Sequence, residues 1–227
     1  MKYKGTLITQ GSGSLAGATF SHNKGGQYIR QRTIPVNPNT TLQQAVRSIF
    51  ATLSIAWVQT LTAAQRVLWK TYADNVPLIN VLGDSIFITE LAMYSRSNVP
   101  RLQAALTRVD DGPTTFSLAQ MTNPSATAAA ATDLLSVTFT NTDAWATAVG
   151  GAMLVYISKP QNPTINFFKG PYQFAGKIAG AVVPPTSPQT IALPQPIVAG
   201  QKVFFRIEAT EVDGRLSLPF RGFAIGS

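Results

Sequence analysis

The sequence predicts an α+β protein in three parts: an extended N-terminal arm, a small helical unit, and a C-terminal antiparallel β-sandwich of immunoglobulin or fibronectin III type. Three observations carry that prediction. Apolar residues recur at helical spacing between about residues 41 and 107, the period changes to two after a Asp110-Asp111-Gly112-Pro113 break, and glycines punctuate residues 5–36. The 227 residues, 45% of them hydrophobic and 12% charged, suffice for a sizeable core and for one or two compact units. The expected divisions are 1–36 for the arm, 37–112 for the helical unit and 113–227 for the sandwich.

In the arm, Gly5, Gly11, Gly13, Gly17, Gly25 and Gly26 separate short stretches such as Thr6-Leu7-Ile8. Residues 27–34 alternate cleanly, and as a strand they set Gln27, Ile29, Gln31 and Thr33 on one face and Tyr28, Arg30, Arg32 and Ile34 on the other. Such a segment has too few apolar residues to fold alone, so it is expected to pair with the rest of the chain or with another subunit.

Pro35 and Pro38 stop that strand, and Thr40 or Thr41 caps a helix from about 41 to 59 with Leu42, Val46, Ile49, Phe50, Leu53 and Trp57 along one stripe. Thr62-x-x-Gln65 is a second capping pattern, opening a helix in which Leu61, Leu68, Trp69 and Tyr72 face a core and which ends near Asn75 ahead of Pro77. A third helix is expected from Ser85 or Thr89 to Asn98, with Pro100 kinking the chain before a continuation over 101–107.

Beyond residue 113 the candidate strands are 114–118, 134–140, 152–158, 172–178, 190–193, 201–210 and 216–225, with Asp213-Gly214 in the last hairpin turn. Seven strands in this length suggest the sandwich. The Ala-Thr run from Ser125 to Thr132 reads as a loop or a short alanine helix.

Charge is distributed in two parts. The net charge is +8, and Lys2, Lys4, Lys24, Arg30, Arg32, Arg47, Arg66 and Lys70 all precede the first acid, Asp74; the remaining ten basic residues face ten acids. An acid-free cationic start attracts phosphate or an acidic protein surface, whereas a merely solvated face would do neither. The first six residues carry cations with no apolar run after them, and every apolar stretch is interrupted, so neither a Sec leader nor a membrane-spanning helix is expected.

Catalytic chemistry has few candidates. The chain holds no cysteine and one histidine, His22, which removes thiol nucleophiles, cysteine-based metal sites and multi-histidine sites. His22 has no local carboxylate and reads as an exposed loop residue. Residues 11–17 depart from the spacing of a phosphate-binding glycine loop and read as a turn. The acids Glu208, Glu211 and Asp213 flank a hairpin and read as solvated; a weak calcium site there would fit no standard loop spacing. No cofactor or metal is therefore expected. Trp57 and Trp69 are core by their spacing, whereas Trp145, in the 141–150 loop, is a candidate contact residue.

Taken together, Gly25-Gly26-Gln27-Tyr28-Ile29-Arg30-x-Arg32, Pro35 to Thr40, Gln43, Arg47, Phe50 and the Trp57, Gln65-Arg66, Trp69 and Tyr72-Ala73 positions resemble a group of tailed-bacteriophage and prophage proteins. The similarity runs through Met93-Tyr94 and Asn98 to residue 113. The second half is similar in pattern to fibronectin III or immunoglobulin-like sandwiches, at Gly200-x-x-Val203-Phe204-Phe205-x-Ile207 and Gly214-Arg215-x-Ser217-x-Pro219.

The resemblance implies a virion context and brings no catalytic residue with it. The expectation is a non-enzymatic virion protein, associated with capsid, connector or tail, that forms homo-oligomers and meets other virion proteins through Tyr28, Arg30, Arg32, Arg47 and Trp145. Nucleic-acid binding by residues 1–73 is the alternative, without an evident recognition helix, and a surface adhesin a third.

Overall fold

The computed structural model describes residues 11–23, 26–34, 36–80 and 82–227, and the expected extended stretch at residues 6–8 lies outside them. The architecture is α+β, with the strands in several small antiparallel sheets. The chain divides into two compact units between Thr41 and Leu42.

In the first unit, β1 (Gly13–Leu15), β2 (Ala18–Asn23) and β3 (Gly26–Gln31) form one sheet in the order β1-β2-β3. The glycine-rich 11–17 segment is thus strand and turn, with Ala16 at φ 50° in the turn. Phe20 lies opposite Ile29 and Ser21 opposite Tyr28. None of the described residues between 11 and 41 is buried.

The second unit begins within the first turn of α1 (Thr41–Ile55), which runs into a π-helical turn (Ala56–Thr60). α2 (Ala63–Asn75) starts on the expected capping box: the Gln65 amide donates to Thr62 Oγ1 at 3.2 Å and the Thr62 amide donates to Gln65 Oε1 at 2.9 Å. The two-stranded hairpin β4 (Leu78–Ile79) and β5 (Ser85–Ile86) leads to α3 (Glu90–Gln103), capped by Thr89. Pro100 lies inside α3 rather than ending it. The last turn is held by side chains: Asn98 exchanges hydrogen bonds with the Val109 backbone at 2.8 and 3.0 Å, and Arg101 binds the Thr107 carbonyl. These bonds offset the one that proline cannot donate.

Leu53, Leu61, Trp69, Tyr72, Met93 and Tyr94 form the helical core, with the Trp69 ring edge-on to Tyr72 and Tyr94. Leu68, expected inside, is partly exposed. The stripe on α1 is covered only in part, since Leu53 is buried while Leu42 and Phe50 stay exposed.

The remaining strands are β6 (Ser125–Ala129), β7 (Leu134–Thr138), β8 (Ala152–Ile157), β9 (Gln173–Ala179), β10 (Gln189–Ala192), β11 (Lys202–Thr210) and β12 (Phe220–Ile225), with the short α4 (Ala144–Thr147) between β7 and β8. They form a three-stranded sheet β10-β7-β6 and a four-stranded sheet β12-β11-β8-β9. Leu135 and Val137 of the first and Val155, Phe205 and Ile207 of the second share one apolar cluster.

The Ala-Thr run supplies β6, correcting its reading as loop or helix; it pairs with β7 from Ser125 opposite Thr138 to Ala129 opposite Leu134. Segment 114–118, expected as a strand, is irregular, and β12 begins at Phe220, four residues later than expected. Leu216 makes only an isolated bridge to Thr210.

β8 is buried along its whole length. Met153, Val155 and Ile157 face the shared cluster, whereas Leu154 and Tyr156 pack on the opposite side with Ala104 and Leu216. Residues 110–113, expected as the boundary between helical unit and sandwich, are also packed. The Trp69 indole N–H donates to the Asp110 carbonyl at 2.8 Å, and a Cβ on Gly112 would lie 2.6 Å from the α2 backbone at Leu68. Helices and both large sheets accordingly belong to one compact unit.

Candidate functional site

The alternation in β3 puts Tyr28 and Arg30 on one face of the N-terminal sheet, Tyr28 half-buried and Arg30 exposed. Arg32 follows the strand, its backbone N–H donating to the Gly17 carbonyl at 2.8 Å and its side chain exposed. His22 is exposed in β2 opposite Gln27, so it stands on a strand and not in a loop. Arg47 is exposed on α1.

Trp145 is a correction to the sequence reading. It lies in α4 at 0% exposure, edge-on to Phe139 with ring centroids 5.2 Å apart, and offers no surface to a partner. Gly151 and Gly180 approach its backbone carbonyl so closely that a Cβ on either would clash. The loop reading failed because a four-residue helix leaves too short a pattern for periodicity to reveal.

A second correction concerns the acids read as solvated. Glu208 and Glu211 are buried. Glu211 pairs with Arg215, which also binds Asp213 at 2.7 Å and reaches Ser117 Oγ at 3.0 Å, so the hairpin turn is an ion-pair cluster within the protein. Gly214, at φ +90°, occupies the left-handed position of that turn and packs on Val109. Among the described residues no group of acids or histidine could hold a metal ion.

Glu208 sits differently. It lines a groove of about 770 Å³ walled by Phe50, Leu91 and Leu218, with Arg96 and Arg206 as further polar residues. Its carboxylate accepts one long bond, 3.4 Å from Arg206 Nη2. Burial raises its pKa above the ordinary carboxylate value, with Arg206, Arg96 and Arg221 pulling the other way.

Arg96 is committed elsewhere, to the carbonyls of Leu216 and Ser217 at 3.0 to 3.3 Å. The Arg206 guanidinium lies 4.4 Å from the centre of the Tyr156 ring, whose hydroxyl burial pushes up to about 12. The sequence does carry a trace of this arrangement. Strand alternation puts Arg206 and Glu208 on the face of β11 opposite to Phe205 and Ile207, but that they line a groove together with Arg96, Val99 and Pro100 of α3 depends on tertiary packing.

Apolar side chains remain uncovered on the helical elements, where Phe50 is 47% exposed and Val58 71% and Leu42, Ile55 and Val67 are also exposed, and beside them at Ile79 of β4 and Phe87. No described helix is long and apolar enough to cross a membrane. What this part of the molecule can do chemically is associate, through an apolar helical surface and a groove that holds a buried carboxylate. No protein-family model matches the chain, and comparison with curated proteins and with solved structures yields no match either.

Proposed function

We propose that the protein is a non-enzymatic structural component of a tailed-phage particle, assembling through its basic N-terminal segment and helical elements while a fibronectin III-like sandwich is displayed. The observation that carries the reading is the apolar surface left on α1 and its surroundings, where Leu42, Phe50, Ile55 and Val58 are exposed in the single chain. Exposed apolar surface of this kind marks an interaction site. The N-terminal sheet supports it, because three short strands without a buried residue among those described need a further surface to pack on. The resemblance of the first half to phage and prophage proteins supplies the virion context.

The sandwich part of the proposal rests on strand order. Counted from β6, strands one, two and five form one sheet and three, four, six and seven the other. This order supports the reading, since it differs from that of an immunoglobulin constant-type sandwich by one strand, the fourth, which pairs in the opposite sheet. Just after the last strand, the Ser227 main-chain N–H donates to the Ala128 carbonyl and the Ser227 carbonyl accepts from the Ala130 N–H, tying this end of the chain to the first strand.

Mass spectrometry of purified particles tests the reading. Presence in fixed stoichiometry with the other structural proteins is the expected result. Absence from particles, with the free protein binding duplex DNA at near-physiological salt, would instead favour a nucleic-acid role for the acid-free segment 1–73.

A further inference from the structure

We propose that one face of the N-terminal sheet, made by Ser14, Thr19, Ser21, Tyr28, Arg30 and Arg32, grips the phosphate backbone of duplex DNA. Such binding goes beyond the assembly reading above and does not depend on it. Strand register defines the face. Thr19 stands opposite both Ser14 and Arg30, and Ser21 stands opposite Tyr28, and directly opposed residues of an antiparallel pair project to the same side. The Ser14 and Thr19 hydroxyls are hydrogen-bonded at 3.0 Å across that side. Arg32 continues the alternation just past β3, where its N–H donates to the Gly17 carbonyl at 2.8 Å.

Charge points to a polyanion. Residues 1–41 hold Lys2, Lys4, Lys24, Arg30 and Arg32 and no acid, and the first acid of the chain is Asp74. Arg30 and Arg32 are exposed, and among the described residues neither guanidinium pairs with a carboxylate. An acid-free cationic face of this kind draws phosphate. A second copy of this chain is a poor match, because Asp74, Asp110, Glu208, Glu211 and Asp213 already pair with basic residues of their own chain.

Composition separates DNA from an acidic protein. Arg, Ser, Thr and Tyr are side chains that contact phosphate oxygens, whereas the core of a protein interface is apolar and poor in serine. This face has no aliphatic side chain; Phe20 and Ile29, opposed to each other, belong to the other face. The packing that the assembly reading asks of the sheet and the contact with DNA therefore use different faces. With Tyr28 as its one aromatic ring, the face lacks the successive stacking positions of single-strand binders, which favours the duplex.

Fluorescence anisotropy of a labelled duplex titrated with the full chain tests the assignment. Binding is expected at about 50 mM salt and should weaken as salt rises, with a log–log slope of about −0.9 per phosphate contacted. Arg30→Gln with Arg32→Gln should lower affinity about tenfold or more and reduce the slope by about two. Lys159→Gln with Lys169→Gln, which removes the same charge at exposed positions outside this unit, should change affinity by about twofold or less. Ser14→Glu and Gln31→Glu place one carboxylate on the basic and on the opposite face, both at exposed positions, and the first should weaken binding about threefold or more beyond the second.

Absence of binding at that salt would overturn the proposal, as would equal losses from the two double variants or from the two glutamate variants. Competition by polyglutamate as effective as that by unlabelled duplex would assign the face to acidic protein instead. Tighter binding to a single strand of the same length would contradict the duplex. A chain found in particles that fails to bind duplex sinks this inference alone, and one that binds duplex but is absent from particles sinks the virion reading alone.

Discussion

Arg101 enters the interior held by neutral acceptors, with Asp213 acting on it only through space. It is 2% exposed, and it donates to the Thr107 and Glu211 carbonyls at 3.0 and 2.8 Å and to Thr210 Oγ1 at 3.0 Å. Burial pulls its pKa below the ordinary guanidinium value, and the planar fork compensates by reaching three acceptors at once. Arg101→Met should lower unfolding free energy by about 2 to 4 kcal/mol, and Arg101→Lys should recover little of it, because an ammonium cannot span those acceptors. Urea midpoints measure both. Glu208 makes the opposite case, an acid whose raised pKa favours its protonated form in the fold. The stability this confers is complete below the ordinary value of 4.5 and is lost as pH rises through the raised one. Glu208→Gln should therefore gain on the parent chain as pH is raised from 4.5 toward neutrality, and a stability difference independent of pH would contradict this. Neither role was legible in the sequence, where Arg101 stood only in a segment after a proline and Glu208 only in an acidic cluster near a turn. Burial of a charge is decided by what packs over it.

The elements best read from the sequence are those whose signals are local. The capping box at Thr62 and Gln65, Pro77 after α2, and Asp213-Gly214 in the last hairpin each act over a few residues, and each stands where expected. The misread elements depend on distant partners. Residues 125–129 have little strand propensity of their own and become β6 because β7 offers a ladder to join. α3 passes through Pro100 because Asn98 and Arg101 bind backbone on the far side of the proline. Gly112 was legible only as a turn signal, yet it is the point where segment 110–113 lies directly on α2. Gly112→Ala should cost about 1 to 3 kcal/mol in thermal or urea unfolding, since a methyl group would meet backbone that cannot yield cheaply. A neutral substitution there would show that the segment is not held against the helix.

Across the whole molecule, the α+β class and most of the strand positions were legible from the change of period near residue 113. That the helices and the sheets form one compact unit was not, because periodicity shows that a face is apolar without showing which neighbour covers it. Leu154, Tyr156 and Leu216 cluster with Ala104 and lie beside Leu106, all outside the inter-sheet cluster. Residues 114–227 expressed alone would lose Ala104 and Leu106 and expose that surface, so the fragment should lack near-ultraviolet dichroism and bind hydrophobic dyes, whereas 42–227 should unfold in one cooperative transition. Cooperative folding of the shorter fragment would contradict it.

The claim that the single chain carries surfaces completed only on assembly is tested most directly by amide hydrogen exchange, comparing the free chain with the same chain in purified particles. The account predicts that amides of residues 26–34 and 41–60 become at least about tenfold more protected in the particle, while those of β8 and β11 change little. Equal exchange in the two states across residues 26–60 would contradict it.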